Sequence, residues 1–132
     1  MIKTRKKLDE VPTPPISKRN QRQAEGTQVY GMSELDDFYD FLEDVNKFCR
    51  IQNIPASTAS SEFAPGQFEI NLNSTTDLLK SADDSILLRR LVKETAVKHD
   101  YEASFLSKPF VNETGSGMHV HLSIFDSNSN NI

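Results

Sequence analysis

Around Pro65-Gly66 the hydrophobic period of this chain switches from helical to two and then back, which confines it to a mixed fold. Phe68, Ile70 and Leu72 alternate with Glu69, Asn71 and Asn73. Alternation puts three apolar side chains on one face and three polar ones on the other, the pattern of a half-buried strand. Before the switch, Leu35, Phe38, Leu42, Val45, Phe48 and Ile51 recur at steps of three and four, which predicts an amphipathic helix. Ser33 opens it, with Asp36 three residues on as an acidic version of the capping box. Pro55 ends it near Gln52, because the residue before a proline disfavours the helical region. Glu34, Asp36, Asp37 and Asp40 crowd its first turns, where the helix dipole favours negative charge, and read as a solvated face rather than a metal site. After the switch a second helix is predicted over residues 78–99, lined on one side by Leu79, Ala82, Ile86, Leu91 or Val92, and Ala96. Asp83 and Asp84 near its start and Lys93 and Lys98 near its end match the dipole. Further strands are predicted over 101–108 and 118–125, around a turn at 112–115. The expected fold class is α+β: antiparallel strands forming part of a curved sheet, with two long helices packed on it.

Residues 1–30 differ from the rest. Seven basic residues (Lys3, Arg5, Lys6, Lys7, Lys18, Arg19 and Arg22) face three acids, and Pro12, Pro14 and Pro15 punctuate the stretch. With little to bury it is expected to be an exposed loop or tail, leaving 31–132 as the folded unit. The 132 residues suffice for one modest domain. A formal net charge of -4 argues against nucleic acid or an anionic membrane as the main partner. No apolar run approaches the roughly 20 residues that cross a bilayer. The N-terminal lysines precede no apolar stretch, unlike a secretory signal. Cys49 is the only cysteine, which excludes a disulfide framework and a cysteine-rich zinc site. A cytoplasmic, reducing compartment is expected.

The chemistry-bearing residues lie in two places. In the predicted strand over 118–125, His119, His121 and Ser123 share one face, while Val120, Leu122 and Ile124 share the other and are expected in the core. Two imidazoles on one polar face bind a metal or contact a phosphate; a pair of surface histidines on an edge strand has the same pattern. Gly115-Ser116-Gly117 immediately precedes them, and glycines let backbone N–H groups approach an anion, though such a triplet also makes ordinary turns. Glu62 and Glu69 bracket the Pro65-Gly66 bend. Seven residues apart on an unbroken strand they would face opposite sides, and the bend can undo that parity. Converging carboxylates suit Mg²⁺ or Mn²⁺, and an added imidazole leans towards Mn²⁺.

The order of these signals is more specific than any one of them. Glu62-x-x-Pro65-Gly66-Gln67-x-Glu69-Ile70-Asn71, a long helix containing Ala82-Asp83-Asp84, Lys108-Pro109, and Gly115-Ser116-Gly117-Met118-His119-x-His121-x-Ser123 together resemble the catalytic domain of the glutamine synthetase family over about residues 28–126. The Tyr30-Gly31-Met32 lead is similar to the branch containing γ-glutamylpolyamine synthetases. The pattern departs from many members at Thr114, where they carry Asn, and at Ser61, where they carry His.

The resemblance implies an ATP-dependent ligase that joins ammonia or an amine, such as a polyamine, to the side-chain carboxylate of glutamate through an acyl phosphate. It implies Mg²⁺ or Mn²⁺ as cofactor, with ATP as co-substrate. Glu62 and Glu69 would be ligands of the cation beside glutamate, and His119 a ligand of the cation bridging the ATP phosphates. His121 and Ser123 would contact the nucleotide, and Gly115 would belong to the glutamate-binding loop. No residue is assigned a further catalytic role. Family members work as homo-oligomeric rings with sites between subunits. The family's N-terminal β-grasp domain, its Glu-x-Glu strand and its downstream phosphate arginines have no counterpart here. The chain therefore reads as part of a partial catalytic domain, inactive by itself. A catalytically silent relative with a structural or regulatory role is the competing reading, and an unrelated metal-binding β-domain a third.

Overall fold

The computed structural model describes residues 1–4, 13–26 and 29–132. Four strands and three helices follow one another as β1 (Ile2–Thr4), α1 (Met32–Asp37), α2 (Tyr39–Ile51), β2 (Ala56–Ser61), β3 (Phe68–Leu72), α3 (Leu78–Lys98) and β4 (Tyr101–Ala103). The class is the expected α+β, with every ladder antiparallel. β1 pairs with β4, and β2 with β3, as two separate two-stranded sheets. β1 lies inside the stretch expected to be loop: Ile2 faces Ala103 across its ladder and is buried in the core. Of the basic residues read in that stretch, Arg5, Lys6 and Lys7, with Pro12, fall outside the described residues.

The first predicted helix is two helices. Phe38 leaves the helical region (φ -112°, ψ 20°) and separates α1 from α2. The break turns its ring into the core, edge-on to Phe68 and to Tyr101 with centroids 5.7 Å away in each case. Phe41 adds a third ring 6.0 Å from Tyr101. Gly31, not Ser33, occupies the N-cap of α1, and no side chain closes a capping bond there. α2 ends where Pro55 requires, with Gln52 as its C-cap.

Around these rings Val45, Cys49, Ile54, Leu88, Leu91, Val92, Ala96 and Ala103 complete one core, against which Phe68, Ile70 and Leu72 pack from β3. Four residues expected on the buried faces lie outside it: Ile51, Leu79, Ala82 and Ile86 are exposed. α2 turns Phe41 and Cys49 inward instead, and α3 buries only its C-terminal two-thirds, from Asp84 to Ala96. No described element covers the first turns of α3, so Leu79 has nothing to pack against. α3 starts at Asp77, whose carboxylate accepts the Lys80 N–H at 3.0 Å.

The two C-terminal strands are the largest correction. Among the described residues, 101–108 form a ladder only over Tyr101–Ala103, opposite Ile2–Thr4 of β1. Residues 118–125 form no strand; Phe125 makes a single bridge to Asn131. Val120, Leu122 and Ile124, expected in the core, are exposed. An extended segment becomes a strand only with a ladder beside it, and among the described residues neither two-stranded sheet extends to this one. The expected turn before it is present at Val111 to Glu113, where Glu113 N–H donates to Phe110 O at 3.3 Å.

The aromatic cluster gives the first prediction. Phe38→Ala opens a cavity shared by α2, β3 and β4, and should lower the unfolding free energy by about 3–5 kcal/mol. Urea denaturation followed by circular dichroism measures it; a loss below about 1 kcal/mol would mean that the rings do not hold these elements together.

Candidate functional site

β2 escaped the sequence reading because Ala56-Ser57-Thr58-Ala59-Ser60-Ser61 carries no apolar alternation. Its presence changes how Glu62 and Glu69 meet. They do not lie on one bent strand. Pro65-Gly66 forms the tip of a hairpin, closed by Glu62 N–H donating to Gln67 O at 2.8 Å and Gln67 N–H donating to Ala64 O at 2.9 Å. Ser60 pairs with Glu69 and Ser61 with Phe68. Residues opposite each other share a face, and so do residues two apart, so Glu62 and Glu69 lie on the same face as diagonal neighbours, about 7–8 Å apart at the backbone. Ser61 and Phe68 take the inner face. Ser61, where the resemblance leads one to look for His, is fully buried and donates its hydroxyl to Gly31 O at 3.1 Å.

The carboxylates feel each other. Glu62 is held above the usual carboxylate range, first by burial and then by the negative charge of Glu69, with His119 partly offsetting both. His119 therefore stands close enough to act on Glu62 electrostatically. Its ring folds back beside Gly117, with Nε2 3.7 Å from where a Cβ would stand on that residue. The three are neighbours without forming a cage: among the described residues no group of three His, Cys, Asp or Glu side chains is arranged to hold a metal ion. His121 and Ser123 lie further along the same exposed segment, which lacks the strand that would align them with His119.

Gly115 sits against the hairpin through a residue that spacing did not single out. Gln67, only 7% exposed, donates from Nε2 to Gly115 O at 2.9 Å and accepts the Ala64 N–H on Oε1 at 3.0 Å. Thr114 and Ser116 hydroxyls flank the same amide at 3.5 Å each. Ser116 N–H also donates to Ser107 O at 2.8 Å. A Cβ on Gly115 would lie 2.7 Å from Ser107 O, so only glycine allows the loop this close. A second residue missed is Glu34. Read as part of a solvated acidic face, it accepts the Gly66 N–H at 2.8 Å and is pushed up by burial.

The family model for the glutamine synthetase catalytic domain matches residues 1–132. The chain belongs to the glutamine synthetase family. It is 40% identical over 119 residues to γ-glutamylputrescine synthetase PuuA of Escherichia coli, covering 90% of this chain and 25% of that protein. It is 39% identical over 97 residues to a glutamate–isopropylamine ligase of a Pseudomonas species, covering 74% of this chain and 21% of that one. Among solved structures, a GmaS/ADP complex superposes with a TM-score of 0.73 at 30% identity, covering 89% of this chain and 26% of that chain. The chain thus spans about a quarter of the length of the relatives it matches, and its α+β architecture is part of the glutamine synthetase fold. No helix among the described residues is long and apolar enough to cross a membrane.

The donor types are those that suit a hard divalent cation, two carboxylates on one face with an imidazole that only partly offsets their repulsion, though they are not arranged as a closed cage. Without a cation that repulsion opposes folding. Because the folded-state pKa of Glu62 is raised, its ionised form is disfavoured in the native chain, a penalty present above the folded pKa and absent below the unfolded one. Glu62→Gln, in chelator, should therefore raise the urea midpoint at about pH 7, and the gain should fade towards about pH 4. A gain equal at both pH values would mean that charge is not its cause.

Proposed function

We propose that this chain is part of an ATP-dependent ligase that joins ammonia or an amine to the side-chain carboxylate of glutamate. The observation that carries the reading is the hairpin that turns Glu62 and Glu69 onto one face beside His119. Such ligases make an amide from a carboxylate, a poor electrophile, by first transferring the γ-phosphoryl group of ATP to it. The carboxylate oxygen attacks phosphorus and ADP leaves; the nitrogen then attacks the acyl carbon, inorganic phosphate leaves, and the nitrogen gives up a proton. The first step brings two anions together and the second expels one, so charge neutralisation and positioning dominate.

In this reading Glu62 and Glu69 hold a Mg²⁺ or Mn²⁺ ion beside glutamate, and His119 holds one at the ATP phosphates. A bound cation would supply neutralisation of phosphate charge. The chain's own contribution is to hold two carboxylates side by side on one face with an imidazole near them. His121 and Ser123 contact the nucleotide from the same segment, and the Gly115 loop takes glutamate. Support for an amine acceptor comes from the two relatives whose names specify putrescine and isopropylamine; the nucleotide assignment is supported by the ADP-bound neighbour. A homo-oligomeric ring in the cytoplasm is the setting proposed.

Calorimetry with Mn²⁺ on the chain tests the ligand set. Glu62→Ala and His119→Ala should each weaken binding on the order of tenfold or more. Equal affinity in the wild type and both variants would overturn the assignment. The isolated chain is expected to turn over no substrate, since it presents only part of the family's ligand set; ADP release dependent on glutamate and an amine would contradict this.

A further inference from the structure

We propose that Gln67 is the positioning residue of this site, fixing the Gly115 loop at a set distance from the carboxylate hairpin. The inference rests on the reading of Glu62, Glu69 and Gly115 given above, and extends it to a residue that touches neither cation nor substrate. At 7% exposure its side chain is enclosed and cannot serve as a ligand. Its amide orientation is forced by its neighbours. Ala64 N–H can only donate, so it must meet Oε1; Gly115 O can only accept, so it must meet Nε2. Each end of one planar amide is thus committed to a different segment, 3 residues away on one side and 48 on the other.

The backbone of Gln67 is equally committed. Its carbonyl accepts Glu62 N–H at 2.8 Å and its N–H donates to Ala64 O, so it is the closing residue of the hairpin tip. It sits directly opposite Glu62 and two residues before Glu69. Any shift of the hairpin is carried to Gly115 through three rotatable side-chain bonds held by hydrogen bonds at both ends. Among the described residues the loop backbone over 114–117 is otherwise held by Ser116 N–H donating to Ser107 O, which ties the loop to its own lead-in and not to the carboxylates. The distance between a cation on Glu62 and Glu69 and a ligand on Gly115 is therefore set by this amide.

The test uses the full chain labelled with ¹⁵N and carrying His119→Ala, which removes the cation site next to the loop, with Mn²⁺ as a paramagnetic probe whose broadening of amide signals falls steeply with distance. With the wild-type Gln67 in place Mn²⁺ should broaden residues 62–69 and 115–117. Gln67→Met keeps the volume and removes both hydrogen bonds; Gln67→Glu keeps the acceptor for Ala64 and replaces the donor to Gly115. In both variants broadening over 62–69 should persist while that over 115–117 falls several-fold, with far-UV circular dichroism unchanged. Retained broadening at 115–117 in both variants overturns the proposal, and so does loss at both segments together, which would make Gln67 a support of the hairpin alone. If the chain with wild-type Gln67 shows no broadening anywhere, the metal assignment fails and the coupling is read without metal. Amide exchange at Ser116 should then quicken about tenfold or more in Gln67→Met, and unchanged exchange overturns the proposal.

Discussion

Gly66 is the point through which the fold is tied together. Its N–H donates to the Glu34 carboxylate of α1, its carbonyl accepts Ile2 N–H of β1 at 2.7 Å, and its left-handed backbone (φ 67°) makes the hairpin tip. Pro15 packs so closely that a Cβ here would meet its Cγ at 2.5 Å. A hydrogen bond to a charged acceptor in a half-buried setting contributes about 1.5–3 kcal/mol. The larger consequence is geometric, since one peptide unit registers β1, α1 and the hairpin against each other. The convergence of Glu62 and Glu69 follows from the hairpin that Gly66 turns.

The hairpin divides the molecule's two tasks between its faces. On one, Phe68, Ile70 and Leu72 close the core against α2 and α3. On the other, Glu62 and Glu69 stand together beside His119. The core side is fastened by polar contacts at its edges as well as by rings. His99 meets Asp44 at 2.9 Å and packs edge-on against Phe41, joining the C-terminal end of α3 to the N-terminal half of α2. Tyr101 donates its hydroxyl to Ile16 O at 3.1 Å, which ties the proline-containing loop to the core. These bonds let a short chain carry an acidic face with little apolar surface beneath it.

Legibility in the sequence followed the strength of local signals. β3 was readable because its alternation is strict over five residues, and the span of α3 because it is long, free of glycine and proline, and bounded by Asp77 and His99. The split at Phe38 was not, because one aromatic residue in a continuous periodic run says nothing about whether its ring points along the helix face or across to Tyr101. β2 was invisible for the opposite reason. Its serines and alanines have no periodicity, and it is a strand because β3 offers it a ladder. For the site, Glu62, Glu69 and His119 could be named from residue type and order. Gln67 and Glu34 could not, since their partners Gly115 and Gly66 lie 48 and 32 residues away.

Residue order and local pattern were enough for the family, the α+β class, the spans of β3 and α3, and the two carboxylates and imidazole that meet at the hairpin. These depend on side-chain chemistry and on spacing along the chain, both of which are local. Tertiary structure decided that the two glutamates face the same way, that Ser61 is buried, and that Val120, Leu122 and Ile124 are not. Parity along a strand turns on whether the chain reverses, and burial turns on which element arrives on the other side. Both are long-range facts. A hairpin tip held by Ile2, Pro15 and Glu34 supplies the first, and the extent of the two ladders supplies the second.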